Sequence, residues 1–135
     1  TVITEIADYF KNEMGYHIQD MTPFVGRNFN STKAGIHADG LLKDEEIYNI
    51  FDTKKILNRA PDVIISKTSG AAGIAYWINE NYRLEGDKAI NKHDPLVVEL
   101  KKWIDAEYEN GRQSSMTNKE MEEKIALLSN GTLVR

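Results

Sequence analysis

The sequence predicts a mainly α-helical fold. Apolar residues recur at helical spacing along much of the chain, a proline follows a capping residue at Asp94-Pro95, and Thr117 stands three residues before Glu120. The first pattern marks faces that must be buried. The other two are helix starts: proline is tolerated at the first helical position, and Thr-x-x-Glu forms a reciprocal capping box.

The elements follow in order. Ile3, Ile6, Ala7, Phe10 and Met14 form one stripe over residues 2–15, with Gly15 as the stop. Residues 16–26 read as an extended linker and 27–33 as an Asn-rich loop. A helical pattern runs from Ala34 to Lys43, weakened at Gly40. Asp44 then caps a short helix carrying Ile47, Tyr48, Ile50 and Phe51. Asp52 or Thr53 restarts a turn through Ile56 and Leu57, which Pro61 ends. Asp62 to Ser66 is the one strand signal, and a lone strand must pair with something unseen or be merely extended. Ser69 or Gly70, with Ser69 preferred as N-cap, opens a helix with Ala71, Ala75, Ile78 and Tyr82 on one face and Ile74 and Trp77 beside them. A polar loop over 84–93 leads to the Asp94-Pro95 helix, whose stripe is Leu96, Leu100, Trp103 and Ile104 and which Gly111 closes. The last helix carries Met121, Ile125 and Leu128, up to Gly131.

Composition narrows the function. The chain has 135 residues, 41% hydrophobic and 28% charged, which suits one soluble globular unit. Its net charge of -4 argues against nucleic acid and against an anionic membrane surface. No apolar run approaches the roughly 20 residues of a membrane helix. Without cysteine there is no disulfide framework and no thiolate chemistry, and a cytoplasmic setting is expected. The chain opens on Thr1 directly into a helical pattern, so it is expected to be a piece of a longer protein.

Legible catalytic motifs are few. His17, His37 and His93 form no HxH or HExxH arrangement, so no metal site is expected in this chain. Ser66 to Gly70 lacks the glycines of a phosphate loop, and Gly70 with Gly73 makes no dinucleotide fingerprint. The sequons at Asn30 and Asn130 read as chance. On one unbroken helix His37 and Tyr48 would stand about 16 Å apart. Gly40 and Asp44 suggest a break that lets the second helix fold back.

One stretch is distinctive. Val25-Gly26-Arg27-Asn28, then Lys33-Ala34-Gly35-Ile36-His37-Ala38-Asp39-Gly40-Leu41-Leu42-Lys43, then Tyr48, resembles the segment after the barrel in the acetyl-CoA-condensing DRE-TIM metallolyases: the 2-isopropylmalate, homocitrate and citramalate synthases. Ser66-Lys67-Thr68-Ser69-Gly70 is similar to their Gly-Lys-x-Ser-Gly stretch. Ile47 to Thr53 and Gly73 to Asn79 resemble the Re-type citrate synthase branch. The likeness covers roughly residues 1–83. It implies helical accessory subdomains following a TIM barrel that lies outside this chain: a helix leaving the barrel (1–15), a linker and lid (16–60) and a C-terminal helical subdomain (61–135).

By resemblance, His37 matches the family's catalytic histidine and Tyr48 its catalytic tyrosine. The histidine would help a barrel carboxylate remove a methyl proton from acetyl-CoA, and the tyrosine would sit near the substrate and the hydrolytic water. The carbanion would add to a 2-oxo acid, oxaloacetate in the Re-type branch, before thioester hydrolysis. A divalent metal (Mn²⁺, Mg²⁺ or Co²⁺) would lie in the barrel. The lid would cover the barrel of a partner subunit in a homodimer, and the isolated chain is expected to associate and to be inactive.

Two departures stand out. A histidine usual in the family shortly before Gly35 is here Thr32 without a gap, or Ser31 with one, and Asn30 stands where phenylalanine is usual. The residues after His37 are expected to be too few for a leucine-binding regulatory domain, which favours a family member without one. Other readings are a homocitrate or isopropylmalate synthase segment, or a non-catalytic helical interaction module.

Overall fold

The computed structural model describes residues 1–33, 37, 39, 40, 43 and 51–133. Among them the chain is mainly helical: α1 (Val2–Asn12), α2 (Thr53–Leu57), α3 (Ala71–Tyr82), α4 (Pro95–Glu109) and α5 (Asn118–Leu128), with two short strands, β1 (Ser31–Thr32) and β2 (Asp62–Val63).

The core lies in the second half of the chain. α3 is its centre, buried on nearly every side: Ala72 to Ile78 are all buried. The stripe read from sequence was narrower because α3 is covered from more than one direction. α4 crosses it with Val97, Leu100 and Ile104, and α5 adds Met121 and Ile125. Leu96 and Trp103 flank the α4 stripe only half buried, and Val97 takes the interior position expected of Leu96. Polar side chains register the layers. The Trp77 indole donates to Asn118 Oδ1 at 3.3 Å, tying α3 to α5. The Met116 amide donates to the Ile65 carbonyl at 2.9 Å, tying the entry to α5 to the chain after β2.

The helix ends follow local chemistry. Asp94 Oδ1 accepts from the Leu96 amide at 2.9 Å ahead of Pro95, and Gly111 takes φ +98° after α4. Both halves of the Thr117–Glu120 capping box form. After α1, Gly15 adopts φ +63°, which lets the Tyr16 amide reach back to the Phe10 carbonyl at 2.9 Å. Asp52 caps α2 through the Lys55 amide at 2.8 Å. α2 ends earlier than Pro61, at Asn58, which takes the left-handed conformation that asparagine tolerates.

Three expectations are corrected. Ser69 does not cap α3. Its hydroxyl turns back to accept from the Ser66 amide (2.9 Å) and donate to the Ile64 carbonyl (3.3 Å), leaving Gly70 as N-cap. Within the expected linker 16–26, residues 20–26 fold into turns rather than running extended. The strand after Pro61 finds its partner within the chain: β1 and β2 pair in parallel, Ser31 opposite Asp62 and Thr32 opposite Val63. The helix expected after Asp44 falls on residues 44–50, outside the described residues.

Glu120 carries more than the cap. The Arg112 guanidinium binds it through both nitrogens at 2.7 Å, and the Thr117 amide and hydroxyl also donate to it. The guanidinium first, then these donors, hold its carboxyl down to about 2, from an ordinary 4.5. A carboxylate lowered by folding stabilises the fold above its unfolded value and loses that contribution as pH falls through the folded one. Stability is therefore expected to decline between about pH 4.5 and 2. Acid titration followed by circular dichroism should show a shallower decline in Glu120→Gln; an identical profile would rule Glu120 out as its source.

Candidate functional site

The site is built where residues 16–33 fold against 51–64. Asn28 donates to the Asp20 carbonyl at 2.7 Å, Gly26 to the Thr22 carbonyl at 2.8 Å, and Arg27 pairs with the Asp20 carboxylate at 2.9 Å. A Cβ on Gly26 would overlap the Asp20 carbonyl and the Thr22 amide, so only glycine fits this turn as built. Arg59 then closes the loop from the other side. Its guanidinium donates to the Arg27 carbonyl at 2.8 Å and lies 5.1 Å from the Phe29 ring centroid. Phe24 stacks on Phe51 at 5.5 Å.

Asn30 sews the two segments together. Its side-chain amide donates to the Ala60 carbonyl at 2.9 Å, and its own carbonyl accepts from the Asp62 amide at 3.2 Å. The Ile64 amide donates to the Thr32 carbonyl at 2.9 Å. This short ladder fixes the direction in which the chain leaves β1 toward His37.

His37 is helical and solvent-exposed. Its Nδ1 lies 3.4 Å from the Thr32 hydroxyl. Asp39, Gly40 and Lys43 are also helical, and Gly40 is buried. The Asp39 carboxylate pairs with Lys43 at 2.9 Å and with Lys92, from the loop before α4, at 3.0 Å. Hydrogen bonds from Lys43 and then Lys92 hold the Asp39 carboxyl below its ordinary range. Tyr48 lies outside the described residues. Among the described residues no three His, Asp or Glu side chains converge as a metal would require. No helix among them is long and apolar enough to cross a membrane.

No protein-family model matches the chain. Curated proteins do. The chain is 54% identical over 125 residues to the Citrate (Re)-synthase of Syntrophus aciditrophicus, covering 93% of the chain and 20% of that protein. It is also 54% identical over 121 residues to the Citrate (Re)-synthase of Clostridium kluyveri, covering 90% and 27%. The 2-phosphinomethylmalate synthase of Streptomyces hygroscopicus is 38% identical over 100 residues, covering 74% and 22%. Several 2-isopropylmalate synthases match as well. The chain belongs to the acetyl-CoA-condensing DRE-TIM metallolyase family. It spans 20% and 27% of the length of the two Citrate (Re)-synthases.

Against the family pattern, the two departures acquire physical content. Asn30, in place of the usual phenylalanine, supplies a hydrogen bond to the 59–62 segment that no phenylalanine could make. Thr32, one of the two residues (with Ser31) expected at the position of the family's histidine, carries the hydroxyl that lies 3.4 Å from His37 Nδ1. Sequence reading missed Arg59, Lys92 and the Asp39 pair. Each acts through a partner about 30 to 50 residues away, and no local spacing announces such pairs.

Proposed function

We propose that the chain is the C-terminal accessory and lid segment of a cytoplasmic synthase that condenses acetyl-CoA with a 2-oxo acid and then hydrolyses the thioester. The acceptor proposed is oxaloacetate, giving citrate. The observation that carries this reading is the Gly35 to Gly40 motif in a chain 54% identical to two proteins named Citrate (Re)-synthase. Its support in the fold is His37, helical and exposed, with its Nδ1 3.4 Å from the Thr32 hydroxyl of β1.

In this reading His37 works with a barrel carboxylate to take a proton from the acetyl-CoA methyl group. The carbanion attacks the oxo carbon, and the resulting alkoxide takes up a proton. Water then cleaves the thioester, releasing CoA and the free acid. Tyr48 stands near that water. In this reading the divalent metal lies in the barrel, outside this chain, and no step here runs through it. A bound metal would polarise the 2-oxo acid.

The partner is a second subunit, whose barrel this lid covers. The exposed apolar face of α1 supports such a contact: Ile6 and Phe10 remain 53% and 41% exposed. Faces of this kind mark interaction sites.

The isolated 135-residue chain is expected to release no thiol from acetyl-CoA with oxaloacetate or any other 2-oxo acid, with or without Mn²⁺ or Mg²⁺. Turnover by the purified chain, free of longer protein, would place the complete active site within it.

A further inference from the structure

Lys92 belongs to the loop between α3 and α4, far in sequence from His37, yet its ammonium lies 3.0 Å from the Asp39 carboxylate. The loop that carries it is not slack. Asn79, on core helix α3, holds Ile90 at both backbone groups: the side-chain amide donates to the Ile90 carbonyl at 2.9 Å, and the Ile90 amide donates to Asn79 Oδ1 at 2.8 Å. The loop then ends at the Asp94 cap of α4. Lys92 is thus held between two fixed points of the helical core.

Asp39 sits two residues after His37 in the same helical turn. At 3.6 residues per turn, two residues stand about 200° apart around the axis. Holding Asp39 on one side therefore sets the direction in which His37 faces on the other. Thr32, fixed by β1, meets the imidazole from a second direction. Lys43 shares the Asp39 carboxylate, but it belongs to the same segment and cannot fix that segment to anything else.

We propose that Lys92 is a positioning residue for His37: the C-terminal helical subdomain aims the histidine by gripping Asp39. This rests on the reading of His37 as a catalytic group, and it gives residues 84–135 a place in the reaction. The energy of an exposed ion pair is small, so Lys92 matters through orientation rather than stability. A small misplacement of a catalytic group has a large effect on rate.

The test uses the full-length enzyme and the variants Lys92→Met, Lys92→Arg, His37→Ala and the double variant Lys92→Met/His37→Ala. Lys92→Met is expected to lower kcat about three- to tenfold with little change in KM, an effect on orientation rather than binding. Lys92→Arg, which keeps the cation, should restore most of the rate. In the His37→Ala background, Lys92→Met should cost nothing further. Hydrogen exchange of the peptide containing His37 should quicken in Lys92→Met. Unchanged exchange and unchanged kcat in Lys92→Met would overturn the tether. An equal loss with and without His37 would also overturn it, since Lys92 would then act elsewhere. Full activity in His37→Ala alone would overturn instead the reading of His37 on which the proposal stands.

Discussion

Replacing His37 with alanine in the full-length synthase is expected to lower kcat by about a hundredfold or more, the range for a positioned proton-transfer group. In the proposed mechanism the loss should fall on kcat rather than on the KM for acetyl-CoA, because there the imidazole would act on the methyl proton rather than anchor the nucleotide end of CoA. Folding should be intact. The ring is exposed, and the short ladder that orients its segment runs through the backbones of Asn30, Thr32, Asp62 and Ile64 rather than through the imidazole. Steady-state thiol release, with circular dichroism as the folding control, reads both. An unchanged kcat would remove His37 from the mechanism.

The largest effect on stability is expected at Leu100. It is fully buried where α4 meets α3 and α5, in a cluster with Ile78, Ile104, Met121 and Ile125. Leu100→Ala removes that packing and leaves a cavity that helices braced on both sides cannot close. The cost for such sites is about 2–5 kcal/mol. Urea unfolding of the isolated chain should show a lower midpoint with little change in slope, as expected when stability alone changes. A cost under about 1 kcal/mol, the scale of a volume-conserving swap, would mean that α4 does not pack here as described.

How much of this was legible in the sequence depends on the range of the interaction. The capping box at Thr117, the Asp94-Pro95 start and the stop at Gly15 were all readable, because each is a bond within one or two turns of chain. Ser69 was misread. Its hydroxyl had two local choices, forward to the helix or back to the Ser66 turn, and burial beside Ile64 decided for the second. β1 was invisible because two residues, Ser31 and Thr32, carry no period, and their pairing is made by a segment thirty residues on.

The candidate site shows the same division. His37 was proposed from the Gly35 to Gly40 motif, and the structure places it on a helix and exposed. Asp39 was only part of that motif until the structure set Lys92 beside it. The backbone need for Gly26 likewise emerges only when Asp20 and Thr22 are seen to close over it. Thr32 and Asn30 read from sequence as departures from the family pattern; in the structure Asn30 ties β1 to Ala60 and the Thr32 hydroxyl lies beside His37.

The central claim is that this segment serves a synthase joining acetyl-CoA to a 2-oxo acid. Its most direct test is thiol release from acetyl-CoA by the full-length protein across a series of 2-oxo acids, with the product identified. The account predicts that oxaloacetate gives the fastest release and that citrate accumulates in step with free CoA. A rate that no 2-oxo acid raises above the acceptor-free background would contradict it.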